Sequence, residues 1–449
     1  MKELRVKDII RVTNGKLLCG DEETICVNFS KDTRTIQKGD IYIGLKGEKF
    51  DGSKFWKQAL ENGAEGVIIQ EQEISKEEME KYSNKIIIEV ENTLEALYEI
   101  ARYKRSLYDI PVIAITGSVG KTSTKDIIAS VVSTQYKTLK TEGNNNNNIG
   151  LPLTILKLKD HEAVVIEMGM NHFGEISLLT SIAKPTLSVI TNIGTAHIGN
   201  LGSRENILKA KLEILEGMEK PKIIINDDND LLHKWYLENK EKVEIHPYSL
   251  KNAKDIELKE ESSTFKTIIN NELEITVPVG GEHFVYNALC AIEVGKLLNI
   301  SDEKIQKGIA EFELTKKRMD IRKLKNGAIL INDSYNASYE SMKASLEYLS
   351  KYPGKRKIAV LGDMFELGEY STELHEKVGK EVTKNKIDIL ICSGENSKYI
   401  INNSSTVEKY YLKNNEEILE KLQQILSDGD VVLVKASNGM KFYEICQKL

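Results

Sequence analysis

An α/β protein of three domains built on mainly parallel sheets is what this sequence predicts, and three observations predict it. Strand-sized apolar runs alternate with helical patterns along the whole chain, the pattern of parallel sheets covered on both faces. The 449 residues exceed one ordinary domain about threefold. Near the middle, an apolar run, a glycine turn and a helical segment follow one another without a gap, which is the order of a phosphate-binding loop.

Residues 1–108 form the first section. Strands are predicted at Asp40 to Leu45, Gly66 to Ile69 and Lys85 to Val90, and helices at Phe55 to Asn62 and Leu94 to Tyr108. A polar cluster, Ser30-Lys-Asp-Thr-Arg34, precedes the first of these strands. Residues 109–313 open with Val112 to Ile115, bounded by Pro111 and Gly117 as a buried strand should be. The segment from Lys121 to Thr134 carries Ile127, Ile128, Val131 and Val132 at helical spacing. Further strands are predicted at Ala163 to Met168, Leu187 to Thr191 and Lys222 to Asn226, and an antiparallel hairpin between Lys251 and Thr276, where polar and apolar residues alternate. Residues 314–449 repeat the strand–helix alternation at Ala328 to Asn332, Ile358 to Leu361, Ile387 to Cys392 and Val431 to Val434. Asp333, Asp363 and Lys435 fall at the carboxyl ends of these strands, the edge where open α/β sheets place ligands.

The turn between the central strand and its helix carries the chemistry. In Thr116-Gly-Ser-Val-Gly-Lys-Thr122, Gly117 and Gly120 let the backbone turn so that its N–H groups converge on an anion at the helix N-terminus. Lys121 adds a point charge for the β- and γ-phosphates, and Thr122 a hydroxyl for Mg²⁺. The two glycines stand closer together than in the general phosphate-loop spacing. Glu167, a carboxylate at the end of a buried strand, is placed to hold the same cation. By residue pattern alone His197 is a satisfied structural histidine, Lys211 a surface lysine on a helix from Arg204 to Glu216, and Asn144 to Asn148 a polar loop tightly framed by Glu142-Gly143 and Ile149-Gly150.

Composition narrows the class. A net charge of −6 with acids and bases interspersed points away from nucleic acid. The apolar runs fall short of the roughly 20 residues of a membrane span, and Met1-Lys-Glu-Leu-Arg lacks a signal-peptide core, so the protein is expected in the cytoplasm. The five cysteines, Cys19, Cys26, Cys290, Cys392 and Cys446, are scattered without a C-x-x-C pair and are expected as buried free thiols.

Over essentially its whole length the chain resembles the Mur ligases. The resemblance rests on Thr116 to Thr122, Gly143-Asn-x-Asn-Asn-x-Ile-Gly150, Glu167-Met-Gly with Gly174-Glu-Ile176, and Thr191-Asn-Ile-Gly-x-Ala-His197. It extends through Ala210-Lys-x-Glu-Ile214, Asn287-Ala-Leu289, Asp333-Ser-Tyr-Asn-Ala337 and Gly362-Asp-Met-x-Glu-Leu-Gly368, the last two pointing to the dipeptide-adding branch. It implies a phosphate-loop domain between a smaller N-terminal domain that binds a UDP-linked substrate and a C-terminal Rossmann-like domain that receives an amine. It also implies an ATP-dependent amide ligase of cell-wall precursor synthesis, monomeric, joining D-alanyl-D-alanine to UDP-N-acetylmuramoyl-tripeptide through an acyl phosphate.

The resemblance assigns ATP to Thr116, Gly117, Ser118, Gly120, Lys121, Thr122, Ser123, Asn287, Arg318 and Asp333. One Mg²⁺ falls to Thr122 and Glu167, and a second to Glu167, His197 and a carbamylated Lys211. The UDP substrate falls to Ser30, Asp32, Thr33, Arg34, Asn144 and Asn147, and the amine side to Tyr335, Asn336, Lys435 and Ser437. The chain departs from the family at Ser53 (usually His), Phe284 (usually Asn), Ser338-Tyr339 (usually Asn-Pro), and Ala436 and Asn438 (usually Gly and Arg). The alternatives are a sibling ligase with another amine and, further off, a phosphate-loop switch without ligation.

Overall fold

The computed structural model describes residues 2–48, 50–268, 272–315, 319–406 and 408–449. Four sheets follow one another along the chain. The N-terminal sheet holds β1 (Lys16–Cys19), β2 (Asn28–Ser30), β3 (Asp40–Ile43), β4 (Gly66–Ile69) and β5 (Ile86–Glu89), in the order β1-β5-β4-β3-β2. Only β1 runs antiparallel to its neighbour. The central sheet is β6 (Val112–Thr116), β7 (Thr138–Lys140), β8 (Ala163–Glu167), β9 (Leu187–Ile190), β10 (Lys222–Asn226) and β11 (Glu244–Tyr248), parallel throughout, in the order β11-β10-β9-β6-β8-β7.

The alternating segment after it forms three strands where a hairpin of two was expected: β12 (Ala253–Leu258), β13 (Ser263–Thr267) and β14 (Glu274–Val277). The inward side chains of β13, Phe265 among them, are buried against helix Glu282–Leu297, so the middle strand needs a partner on each edge. The C-terminal sheet holds β15 (Asp320–Lys323), β16 (Ile329–Asn332), β17 (Lys357–Gly362), β18 (Ile389–Ser393), β19 (Glu408–Tyr411) and β20 (Val431–Lys435), ordered β15-β16-β20-β17-β18-β19 and parallel except for β15. This is the Rossmann-like lobe of a multi-domain α/β architecture.

Burial on both faces explains the near-continuous apolar runs. One apolar core extends from the N-terminal strands through the central sheet into one face of the C-terminal sheet, while the remaining faces of the outer sheets have cores of their own. Helix Lys121–Ser133 sinks Ile127, Ile128, Val131 and Val132 completely. Each such side chain contributes about 1.5–3 kcal/mol by leaving water, which fixes the helix rigidly behind the phosphate loop.

The same helix also holds the chain where it crosses to the last lobe. Asp126, 2 % exposed, accepts from the Thr315 amide at 3.1 Å and the Thr315 hydroxyl at 2.8 Å, and pairs with the buried Lys125 at 3.0 Å. The cysteines are free thiols; four are buried, and Cys19 is part-exposed because edge strand β1 leaves it at the rim.

Candidate active site

β6 lies inside its sheet between β9 and β8, so its carboxyl end opens onto a crevice between neighbouring loops. Gly120 takes φ 82° at the helix start, and a Cβ on Gly117 would stand 1.9 Å from the Thr191 hydroxyl, so neither position accepts a side chain without strain. The crest of the loop is stitched to the residues after β9. The Ser118 amide donates to the Asn192 carbonyl, the Val119 amide to Asn192 Oδ1, and the Asn192 amide group back to the Val119 carbonyl, each at 3.0 Å. Two of the loop amides expected to converge on phosphate are therefore spoken for by Asn192. Lys121 bends back to the Gly117 carbonyl at 2.8 Å, and Ser123 faces the cleft. Thr116 is wholly buried behind the loop with its hydroxyl unpartnered.

Below the loop, Glu167 is 2 % exposed. One carboxylate oxygen accepts from the Thr122 hydroxyl at 2.9 Å, the other from the Asn146 amide at 2.8 Å. Oxygen donors facing each other across this gap suit a hard divalent cation. The five asparagines divide their work. Asn146 holds Glu167, Asn147 caps helix Gly150–Leu156 through the Ile149 and Gly150 amides, and Asn148 reaches Tyr98 of the N-terminal lobe at 3.0 Å. Asn144 is exposed and outside the cleft lining.

Lys211 overturns the expectation of a surface lysine. Helix Arg204–Leu212 turns that face inward, and the side chain is 1 % exposed. Burial, with the nearby Lys121 charge adding to it, holds the Lys211 amine well below its usual value. His197 lies in the left-handed region at φ 64° on the cleft wall, with Nδ1 2.5 Å from Glu366 Oε2 of the C-terminal lobe. Among the described residues no three His, Cys, Asp or Glu side chains converge.

The cleft, about 880 Å³, is walled on its other side by the C-terminal lobe, including Asp333, Tyr335, Asn336, Lys435 and Ser437. Lys435 is buried; its ammonium meets Asp333 Oδ2 at 2.5 Å and the Asn336 carbonyl at 3.1 Å, so it organises this wall from beneath. Asp333 also accepts from Ser345 at 2.7 Å, and Ser437 accepts from the Phe365 amide at 2.9 Å. Asn287 lines the cleft and accepts from Thr124 at 2.9 Å. Arg318 lies outside the described residues.

The departures from the family pattern have structural work of their own. Phe284, 1 % exposed, packs between His283 and Phe312. Ser53, fully buried, donates to the Gly44 carbonyl and accepts from the Gln70 amide. Ser338 caps helix Tyr339–Lys351, and Tyr339 opens it. Ala436 is buried and Asn438 borders the cleft. The polar cluster in the first lobe stands apart from this cleft: Arg34 is exposed and paired with Asp32 at 2.6 Å, Ser30 accepts from the Asp32 amide, and Thr33 reaches Gln58 at 3.4 Å.

Comparison with known proteins decides the family. Three family descriptions match in series: "Mur ligase family, catalytic domain" over residues 28–105, "Mur ligase middle domain" over 115–295, and "Mur ligase, glutamate ligase domain" over 317–438. The UDP-N-acetylmuramoyl-tripeptide–D-alanyl-D-alanine ligase of Bacillus subtilis is 37% identical across 99% of this chain and 98% of its own length. The chain belongs to the Mur ligase family. The Escherichia coli enzyme of the same name is 30% identical across 100% of the chain and 99% of its own. Two solved structures agree in fold, each 28% identical. MurF from Acinetobacter baumannii has a TM-score of 0.88 over 100% of this chain and 99% of that one. MurF from Thermotoga maritima in complex with ADP has 0.81 over 94% and 96%.

Sequence reasoning passed over several residues in and around this Mur ligase's cleft. Asn146 was hidden inside a run of identical residues, and Asn192 and Glu366 stood in motifs that carried the resemblance but had been given no task. Glu340, which accepts from the Thr195 amide at 2.8 Å and its hydroxyl at 3.1 Å, left no local signal because its partner is far away in sequence.

Proposed function

We infer that this Mur ligase uses ATP to join D-alanyl-D-alanine to UDP-N-acetylmuramoyl-tripeptide in peptidoglycan precursor synthesis. The observation that carries this reading is full-length likeness to ligases of that name together with an intact nucleotide wall, Lys121, Thr122 and Glu167. A carboxylate is too poor an electrophile for an amine. Transfer of the γ-phosphoryl to the tripeptide carboxylate gives ADP and an acyl phosphate. The dipeptide amine then adds to the carbonyl carbon, and the tetrahedral intermediate collapses to the amide with loss of a proton and inorganic phosphate. The protein's part is to hold the reactants in line and neutralise charge, which falls to Lys121 and the helix N-terminus behind it.

Thr122 and Glu167 would hold one Mg²⁺, and Glu167, His197 and a carbamylated Lys211 a second; these ions supply charge neutralisation along the phosphate chain. The carbamate reading is supported by the state of Lys211. An amine must be neutral for its lone pair to form the N–C bond to CO₂ and shed a proton, and burial beside Lys121 favours the neutral form. In this reading residues 1–108 hold the UDP moiety through Ser30, Thr33 and Arg34, residues 109–313 bind ATP, and residues 314–449 receive the amine near Tyr335 and Asn336. No helix among the described residues is long and apolar enough to cross a membrane, in keeping with soluble nucleotide substrates.

Phosphate release with ATP, Mg²⁺ and UDP-N-acetylmuramoyl-tripeptide tests the reading. D-alanyl-D-alanine should support turnover, and the product should gain the mass of the dipeptide less water. Phosphate release only with a single amino acid as the amine reassigns the chain to a sibling ligase.

A further inference from the structure

We propose that Glu366 of the C-terminal lobe is a positioning residue for His197, so that the histidine is aimed at its metal only when that lobe is docked. The inference rests on the reading above that His197 is a ligand of the second ion. A metal-binding imidazole that donates its other ring N–H to a carboxylate is fixed in tautomer and orientation, and the carboxylate raises its basicity. Here the carboxylate meets Nδ1 at 2.5 Å, which leaves Nε2 as the nitrogen for the ion. What is unusual is the source of the carboxylate: it comes from the lobe across the cleft, 169 residues away.

Three further features show a built contact. Both residues are held in left-handed backbone, His197 at φ 64° and Glu366 at φ 62°, a conformation that non-glycine residues keep only where surroundings impose it. The Gly199 amide donates to the Glu366 carbonyl at 3.0 Å, and a Cβ on Gly199 would stand 2.4 Å from the Gly368 nitrogen, so the two loops interlock backbone to backbone. On either side of this interlock, Glu340 grips Thr195, and the Tyr370 hydroxyl donates to the Gly202 carbonyl at 2.7 Å. The segment carrying His197 is thus held at both ends by the lobe that receives the amine. Undocking that lobe removes the carboxylate from the imidazole.

Equilibrium Mn²⁺ binding to the full-length protein with an unreactive ATP analogue, followed by electron paramagnetic resonance, tests this without turnover. Wild type should take two ions. Glu366→Ala should keep the first, which also reports an intact fold, and bind the second about 10–100-fold more weakly. Glu366→Gln, which keeps an acceptor for Nδ1–H, should restore most of that loss. Tyr370→Phe, which removes one seam hydrogen bond away from the imidazole and leaves the Gly199–Glu366 interlock in place, should bind both ions as wild type does. In turnover, Glu366→Ala should need correspondingly more Mg²⁺ while KM for ATP stays within about twofold. Wild-type affinity for both ions in Glu366→Ala, or an equal loss in Tyr370→Phe, overturns the inference alone. A wild type that takes only one ion overturns the two-ion reading and this inference with it.

Discussion

The two walls of the cleft are held together by opposite means. On the nucleotide wall, Lys121, Thr122, Asn146, Glu167 and Asn192 all find their partners within the central lobe, mostly within a few residues of a strand end. The wall that carries His197 lies in the same lobe, yet its segment is gripped by Glu340, Glu366 and Tyr370 of another. The contacts named for the first wall come from one lobe; those of the second come from two. A ligase that makes an acyl phosphate gains from this division, because a reactive intermediate should form only in a cleft already closed to water.

Substitutions on the two sides should separate them. The largest effect is expected at Lys121: Lys121→Ala removes the charge proposed for the transferring phosphoryl and should cut kcat about 10³-fold or more, with thermal unfolding little changed. Next, Lys211→Ala should lower kcat by about 10²-fold. Formate or acetate should return part of that, since the truncated site leaves room for a carboxylate in place of the proposed carbamate; no rescue in phosphate-release assays removes the case for carbamylation.

Smaller, and confined to the docked wall, Glu340→Ala removes two hydrogen bonds to Thr195. At about 1–2 kcal/mol of docking it should lower kcat/KM for the amine roughly tenfold while KM for ATP holds steady. An equal loss in ATP affinity would erase the distinction between the walls. The mildest test is at the seam. His283 packs against Phe284 between the Asp333 and Lys435 charges, and burial pulls it down to about 4 from an ordinary 6.5. The unfolded chain therefore binds a proton below about 6.5 that the native protein refuses until about 4. Stability should fall as pH drops through that window, and His283→Gln should flatten the slope in chemical denaturation curves at stepped pH.

The same contrast governs what could be read from sequence. The β6 strand, its glycine turn and helix Lys121–Ser133 are encoded by neighbouring residues, and so is Glu167 at the end of β8; local pattern suffices for them. The edge strands β1, β2 and β19 are short and partly exposed, each paired on one side only and β1 with a strand about seventy residues away, and nothing local announces them. Lys211 was misread because helical spacing says which residues share a face but not which face is covered. Glu340 and Glu366 act on a loop more than a hundred residues upstream, so no window along the chain contains both halves of the contact.

The row of asparagines has a consequence for how this chain tolerates change. A homopolymeric stretch ordinarily absorbs an added or lost residue without harm, yet here successive members serve a carboxylate, a helix end and a neighbouring lobe in fixed sequence. Shortening the row by one codon would leave its composition almost untouched, yet the span from Gly143 to Ile149 would lose a residue and the three contacts could no longer all be met with both flanks in place. It behaves as a ruler, and its length is the information it carries.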